Sequence, residues 1–188
     1  MRTPGLLPAF TTPVPVEVTA PVIEPAPPRI PPLLTVTPLV IDVAGEKQIV
    51  GAAADHLYAY DCDGRELWKV DYEGFSTVPR PVFADGTLYF CTGYMKPQLW
   101  AVRPDAATAT RASRPANSIK SADSINLTSS VLWKATKQIP ANSSPLLVGE
   151  EIYIVSDQGI LSCLDARSGQ EIWKQRIKGS YSASPLLA

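Results

Sequence analysis

The sequence predicts an all-β fold: about three four-stranded antiparallel blades of an incomplete β-propeller, preceded by a proline-rich extended tail. Three observations predict it. From Pro38 onward, short β-type runs alternate with turn residues, and no stretch of ten or more residues keeps helical spacing. Prolines followed by apolar pairs recur at Pro38, Pro81, Pro145 and Pro185. In phase with them, the tryptophans of "ELWK", "VLWK" and "EIWK" recur at 68, 133 and 173, at intervals of 65 and 40 residues. A meander of four short strands in about 40 residues has the dimension of one propeller blade.

The elements follow in chain order. Residues 1–37 hold most of the prolines, and a stretch such as "TTPVPVEVTAPVIEPAPPRIPP" lacks the amide donors that a sheet or a helix requires. An extended tether is expected there, with a proline-motif ligand as the sharper alternative. Blades are expected over residues 38–74, 79–138 and 143–178, and the start of another over 183–188. The third is the cleanest: "LLV" (146–148), "IYIVS" (152–156), "ILSCLD" (160–165) and "EIWKQRI" (171–177), joined by short turns containing Gly. Both repeat series lengthen together between Trp100 and Trp133, so a single insertion over 104–130 explains both. Rich in Ala, Ser and Thr, it buries too little apolar surface to offset its ordering entropy, and a mobile surface excursion is expected. Three blades cannot close a ring, so the sequence reads as part of a longer propeller whose other blades lie outside it.

Composition excludes several classes. With 17 basic against 18 acidic residues there is no basic stripe for nucleic acid. No run approaches the roughly 20 apolar residues of a membrane helix. Pro4 and Pro8 interrupt the opening "MRTPGLLPAF", so no signal peptide is expected. Cysteines 62, 91 and 163 form no Cys-x-x-Cys pair and read as free or buried thiols; in an exported protein, one disulfide with one cysteine left over is the alternative.

"CLDARSGQEIW" carries Cys163, Asp165, Gly169 and Trp173, and "AYDCDGRELW" carries Ala59, Asp61, Gly64 and Trp68. In the middle unit "LWAVRPD" supplies Ala101 but puts Arg103 where an Asp belongs, and Trp133 follows the insertion. These spacings resemble the signature of pyrroloquinoline quinone (PQQ) type β-propeller repeats. "GFSTVPRPVF", "CTGY" and "SASPLL" also resemble bacterial BamB-like repeat proteins. The resemblance implies that the recurring residues are structural, each Trp docking its blade on a neighbour. It also implies a ring that is usually eight-bladed, an extracytoplasmic or periplasmic location, and a non-enzymatic scaffold for a protein, peptide or glycan partner, without cofactor. A divergent PQQ-dependent quinoprotein dehydrogenase is the alternative, and the sensor domain of a larger signalling protein is a third. Dehydrogenases of the family hold PQQ and Ca²⁺ with an Asp base, Glu and Asn ligands and often adjacent cysteines, none of which can be placed in this sequence.

Other candidates have bland readings. "DCDGRE" at 61–66 lacks the Glu that a calcium loop needs at its twelfth position, which is Tyr72, and reads as a polar hairpin turn. His56, the only histidine, belongs to no catalytic or zinc motif and reads as a hairpin residue. The sequons at Asn126 and Asn142 read as chance triplets. Connectors between blades should gather round the central channel on one face, which makes Arg80, Asn142, Ser144, Tyr181 and Ser184 the candidate ligand contacts.

Overall fold

The structure, a computed structural model, describes residues 36–74, 76–107 and 124–187. The expected tail, apart from Val36 and Thr37, and residues 108–123 of the insertion lie outside the described residues. Three antiparallel meanders follow in chain order. Blade 1 comprises β1 (Leu39–Val43), β2 (Glu46–Ala52), β3 (His56–Tyr60) and β4 (Glu66–Asp71). Blade 2 has β5 (Val82–Ala84), β6 (Thr87–Cys91), β7 (Leu99–Val102) and β9 (Val131–Ala135). Blade 3 has β10 (Leu146–Val148), β11 (Glu151–Val155), β12 (Ile160–Asp165) and β13 (Glu171–Arg176). The three tryptophans occupy the same place, each on the fourth strand of its blade.

Their registers coincide residue by residue. Trp68 pairs with Ala59, Trp133 with Ala101 and Trp173 with Cys163, and in each blade the register shifts immediately beyond that small residue. The shift leaves Leu67, Leu132 and Ile172 as the extra residue before each indole, so the recurring triplets "ELW", "VLW" and "EIW" encode a bulge as well as a ring. Such an extra residue re-aims the side chain that follows it. The small residue has a further use: Tyr89 and Tyr153 lie across it on the second strand, and their rings meet Trp133 and Trp173 at centroid distances of 5.9 and 6.0 Å. A bulky third-strand residue would block the indole from folding across the sheet.

Blade 2 explains how one sheet can be apolar on both faces. Because strand side chains alternate, Leu88, Phe90, Trp100 and Val102 join one core with Val50, Leu57, Ala59, Trp68 and Val70 of blade 1. Tyr89, Cys91, Leu99 and Ala101 join a second core with Ile152, Ile154 and Leu164 of blade 3. β7 is accordingly buried at every position, whereas β13, with no described blade beyond it, is exposed at every position. Val36 reaches the first core, so packing begins slightly before the expected boundary at 37/38.

The insertion departs from a pure excursion. Its returning leg forms β8 (Ile125–Asn126), which pairs parallel to β4 as a fifth strand of blade 1, with Trp68 opposite Ile125. Leu127 is 2% exposed within the first core, and a single 3-10 turn, Thr128–Ser130, leads into β9. The Thr128 hydroxyl accepts the Asp71 N–H at 2.8 Å, and the Asn126 amide donates to the Asp71 carboxylate. Burial opposes ionisation of Asp71, but Asn126, Lys69 and His56 outweigh it and hold the carboxyl below its ordinary range. Asn126, the first sequon, is thereby engaged within the fold.

Candidate functional site

The motif residues resolve into a joint. Asp61 and Asp165 close the turns between third and fourth strands: Asp61 Oδ1 accepts the N–H groups of Asp63 and Arg65, and Asp165 Oδ1 accepts both the backbone N–H and the hydroxyl of Ser168. Gly64 and Gly169 supply the left-handed backbone, at φ 79° and 70°. Blade 2 needs neither residue, because the insertion replaces that turn, and this accounts for Arg103 in the place of Asp. The next contact joins blades. The Trp133 indole N–H donates to the Ala166 carbonyl at 3.0 Å, and a Cβ at Gly169 would stand 2.5 Å from the indole ring. Trp68 is fully buried at the preceding joint, its N–H donating instead to Gln48 Oε1 at 2.8 Å.

The five candidate channel residues divide into two groups. Arg80, Ser144 and Ser184 each precede a proline, where the chain is held extended and the residue's own N–H needs an acceptor. The Arg80 N–H donates to Ser144 Oγ and the Ser144 N–H to Ser184 Oγ, both at 2.9 Å, so a hydroxyl relay runs from each first strand to the next segment. These residues and their prolines line a cavity of about 410 Å³ at the inner strands.

Asn142 and Tyr181 lie elsewhere, around the β11–β12 turn. Asn142 Nδ2 donates to Asp157 Oδ1 at 3.2 Å, the Ala141 N–H donates to Asp157 Oδ2 at 3.1 Å, and the Tyr181 N–H meets the Asp157 carbonyl at 3.3 Å. The Tyr181 hydroxyl donates to the Lys178 carbonyl.

That turn forms one wall of a larger groove of about 510 Å³ between blades 2 and 3, on the face of the connectors. Lys96 and Gln98 from the β6–β7 loop stand opposite Asp157 and Gln158, with Gln138 between the blades. Gln98 Oε1 accepts the Trp100 indole N–H at 2.9 Å, which orients the amide, and Lys134 covers the Trp100 ring at 3.5 Å. Behind it Cys91 is fully buried, and burial, followed by the Asp157 charge, pushes its thiol up to about 12. Two non-glycine residues here are in the left-handed region: Gln138 of the lining at φ 58°, and Met95, which precedes Lys96 in the chain, at φ 80°. Such strain persists only where surrounding structure imposes it, and it gathers at binding sites. Tyr94 and Met95 project from the loop, 58% and 76% exposed. Sequence reasoning missed this loop; its available signal was the polar break after Cys91 with an aromatic residue in it.

Among the described residues, no three His, Cys, Asp or Glu side chains gather as a metal-binding group. His56 sits at the start of β3, its ring nitrogens 2.6 Å from Asp55 and 3.0 Å from Asp71. Cys62, Cys91 and Cys163 are free thiols, Cys62 exposed and the others buried.

Residues 117–188 match a family model described as Outer membrane protein assembly factor BamB. Among solved structures, the chain is similar to BamB from Moraxella catarrhalis, at TM-score 0.53 and 15% identity over 76% of this chain and 38% of that one. It is also similar to a europium-containing methanol dehydrogenase, at 0.51 and 14% over 78% of this chain and 26% of that one. A quinohemoprotein alcohol dehydrogenase from Comamonas testosteroni gives 0.50 and 15% over 75% and 20%. No curated protein matches the sequence. The chain therefore spans well under half the length of each, and at these identities the likeness is one of fold, shared by assembly factor and dehydrogenases alike. The lining of the inner cavity does not fit a calcium ion, which takes about six to eight oxygen ligands: its side chains offer Arg80 and two hydroxyls that already accept backbone N–H groups.

Proposed function

We propose that this chain, which shares the fold of PQQ-like repeat β-propellers and matches the BamB family model over residues 117–188, is a binding and assembly platform rather than a catalyst, and that it works outside the cytoplasm. The observation that carries this reading is the groove between blades 2 and 3. Its lining offers three amide side chains, Gln98, Gln138 and Gln158, which both donate and accept, beside one cation and one anion, Lys96 and Asp157. Amides suit a ligand that is itself a string of donors and acceptors, and an extended peptide backbone has that character. Tyr94 and Met95, exposed just before Lys96 in the same loop, supply the amphipathic and adaptable apolar surface that interfaces favour. Blade stacking holds both walls stiff, so little ordering is needed on binding.

The description of the matching family and the name of the Moraxella relative refer to BamB, an outer membrane protein assembly factor, and support a polypeptide as the occupant. An array of extended peptides, read by fluorescence anisotropy of the hits, tests the proposal, with a glycan array in parallel. Tyr94→Ala and Lys96→Ala should each weaken a peptide hit by about tenfold, the loss typical of an anchoring interface residue. Binding indifferent to both substitutions, or dye reduction after loading with PQQ and Ca²⁺ in the presence of an alcohol, would overturn it.

A further inference from the structure

The two walls of the groove between blades 2 and 3 leave different groups free. On the blade 3 wall, Asp157 is bound to the connector that leads into its own blade: Oδ2 accepts the Ala141 N–H at 3.1 Å and Oδ1 the Asn142 amide at 3.2 Å. A cation entering the groove would compete with both donors for that carboxylate.

On the blade 2 wall the free groups are donors. Thr92 Oγ1 holds the Gln98 backbone N–H at 3.1 Å, and Gln98 Oε1 accepts the Trp100 indole N–H at 2.9 Å. With its oxygen so placed, the Gln98 amide keeps its NH2 group, two donors, uncommitted. Lys96, on the same loop and the same wall, is exposed and makes no ion pair or hydrogen bond among the described residues. Lys134, by contrast, lies over the face of Trp100. The loop therefore presents an ammonium and an amide NH2 side by side, with no acceptor between them and no partner for the charge. A carboxylate is the complement of that pair.

We propose that the groove selects among extended peptides by an acidic side chain, the carboxylate of an Asp or Glu seated between the Lys96 ammonium and the Gln98 NH2 group. This rests on the reading of the groove as a peptide site and adds the character of the peptide, acidic where it meets blade 2 and with its backbone against the amides of Gln138 and Gln158. Because Lys96 is open to water, the attraction is modest and falls with salt. A basic residue gains nothing at the same place, since it would face Lys96 and could reach Asp157 only against Ala141 and Asn142.

Fluorescence anisotropy on the full chain tests this with labelled, end-capped peptides of Thr, Val, Ser and Tyr that differ only at one central residue, Glu, Gln or Lys. The Glu peptide should bind about tenfold more tightly than the Gln peptide, the effect of one charge-assisted contact, and the Lys peptide more weakly than either. The preference should shrink as salt is raised. Gln98→Glu is the most selective variant: a carboxylate oxygen still accepts the Trp100 N–H, while the free donors become an acceptor, so the preference for Glu over Gln should vanish with the fold intact. Lys96→Glu should reverse the order and make the Lys peptide the tightest. Lys47→Glu, an exposed position on blade 1, changes the net charge equally and should leave the order as it is. Equal binding of all the peptides, still weakened by Tyr94→Ala, overturns the proposal and leaves the groove a peptide site. A preference for Glu that survives Gln98→Glu and Lys96→Glu overturns it too, as does a Gln peptide with a free C-terminus that matches the capped Glu peptide. Binding of none of them overturns both this proposal and the reading it rests on.

Discussion

Replacing Gly169 with alanine separates the two roles of that residue. At φ 70° any side chain there adopts the left-handed backbone, which costs roughly 1–2 kcal/mol. The added methyl would also stand 2.5, 2.6 and 2.9 Å from three carbons of the Trp133 ring. The indole cannot retreat freely, because its N–H is bonded to the Ala166 carbonyl and its ring meets Tyr89. Overpacking of this kind costs a further 1–3 kcal/mol or so, for a total of about 2–5 kcal/mol. Gly149→Ala is the matched control: its φ is 59° and nothing lies within 4 Å of the added methyl, so only the backbone cost should appear. Urea unfolding followed by far-ultraviolet circular dichroism measures both. With a slope of about 1–3 kcal/mol per molar urea, Gly169→Ala should move the midpoint down by an extra molar unit or thereabouts. In a Trp133→Ala background that excess should vanish, as coupled neighbours require. Equal midpoints for Gly169→Ala and Gly149→Ala would refute the reasoning.

Three further outcomes are expected. Leu127→Ala should cost about 2–5 kcal/mol in the same urea assay, because the returning leg of the insertion is core, whereas Leu132→Ala at a half-exposed bulge should cost much less. Ser144→Ala removes the acceptor of the Arg80 N–H at a solvent-exposed site and should cost about 0.5–1.5 kcal/mol, most of it at the joint between blades 2 and 3. In alkali, burial raises the Cys91 thiol from its ordinary 9.0 to about 12 and the Tyr72 phenol from 10.0 to about 12. Folding thus favours their protonated forms, so this stability is complete below pH 9 and fades as pH rises towards 12. Melting temperature across that range should fall, while a thiol reagent at pH 8 labels Cys62 and spares Cys91 and Cys163 until the chain unfolds.

Much of the fold is legible in the sequence because the repeat writes the same physical solution three times. The Trp recurs in all three blades, and in blades 1 and 3 an Asp and a Gly precede it, the Gly by four residues in both, since a tight turn needs a cap and a left-handed residue, and the indole must then reach the neighbouring blade. The strands of blade 3 lie within one residue of where alternation and turn residues put them, β12 at 160–165 included. Other features hide for identifiable reasons. β8 is two residues long in a Ser/Thr-rich run, and its partner is the edge of β4, with Thr128 and Asp71 separated by 57 positions. The bulge before each Trp leaves no compositional trace beyond an apolar residue. Among the channel candidates, Arg80, Ser144 and Ser184 meet because the position before proline fixes their backbone. Asn142 and Tyr181 share their connectors but turn towards Asp157, and proximity along the chain does not encode that choice. The groove at Lys96 and Gln138 arises only once two blades stand side by side.

Hydrogen exchange of the individual indole N–H groups, followed by nuclear magnetic resonance on ¹⁵N-tryptophan protein, asks whether these rings are the wedges between blades. At low concentration the Trp68 and Trp133 protons, bonded to Gln48 and Ala166, should be retained until the chain opens globally, while the Trp173 proton exchanges at once. Rapid exchange at Trp133, indistinguishable from Trp173, would mean that blades 2 and 3 do not stack on it.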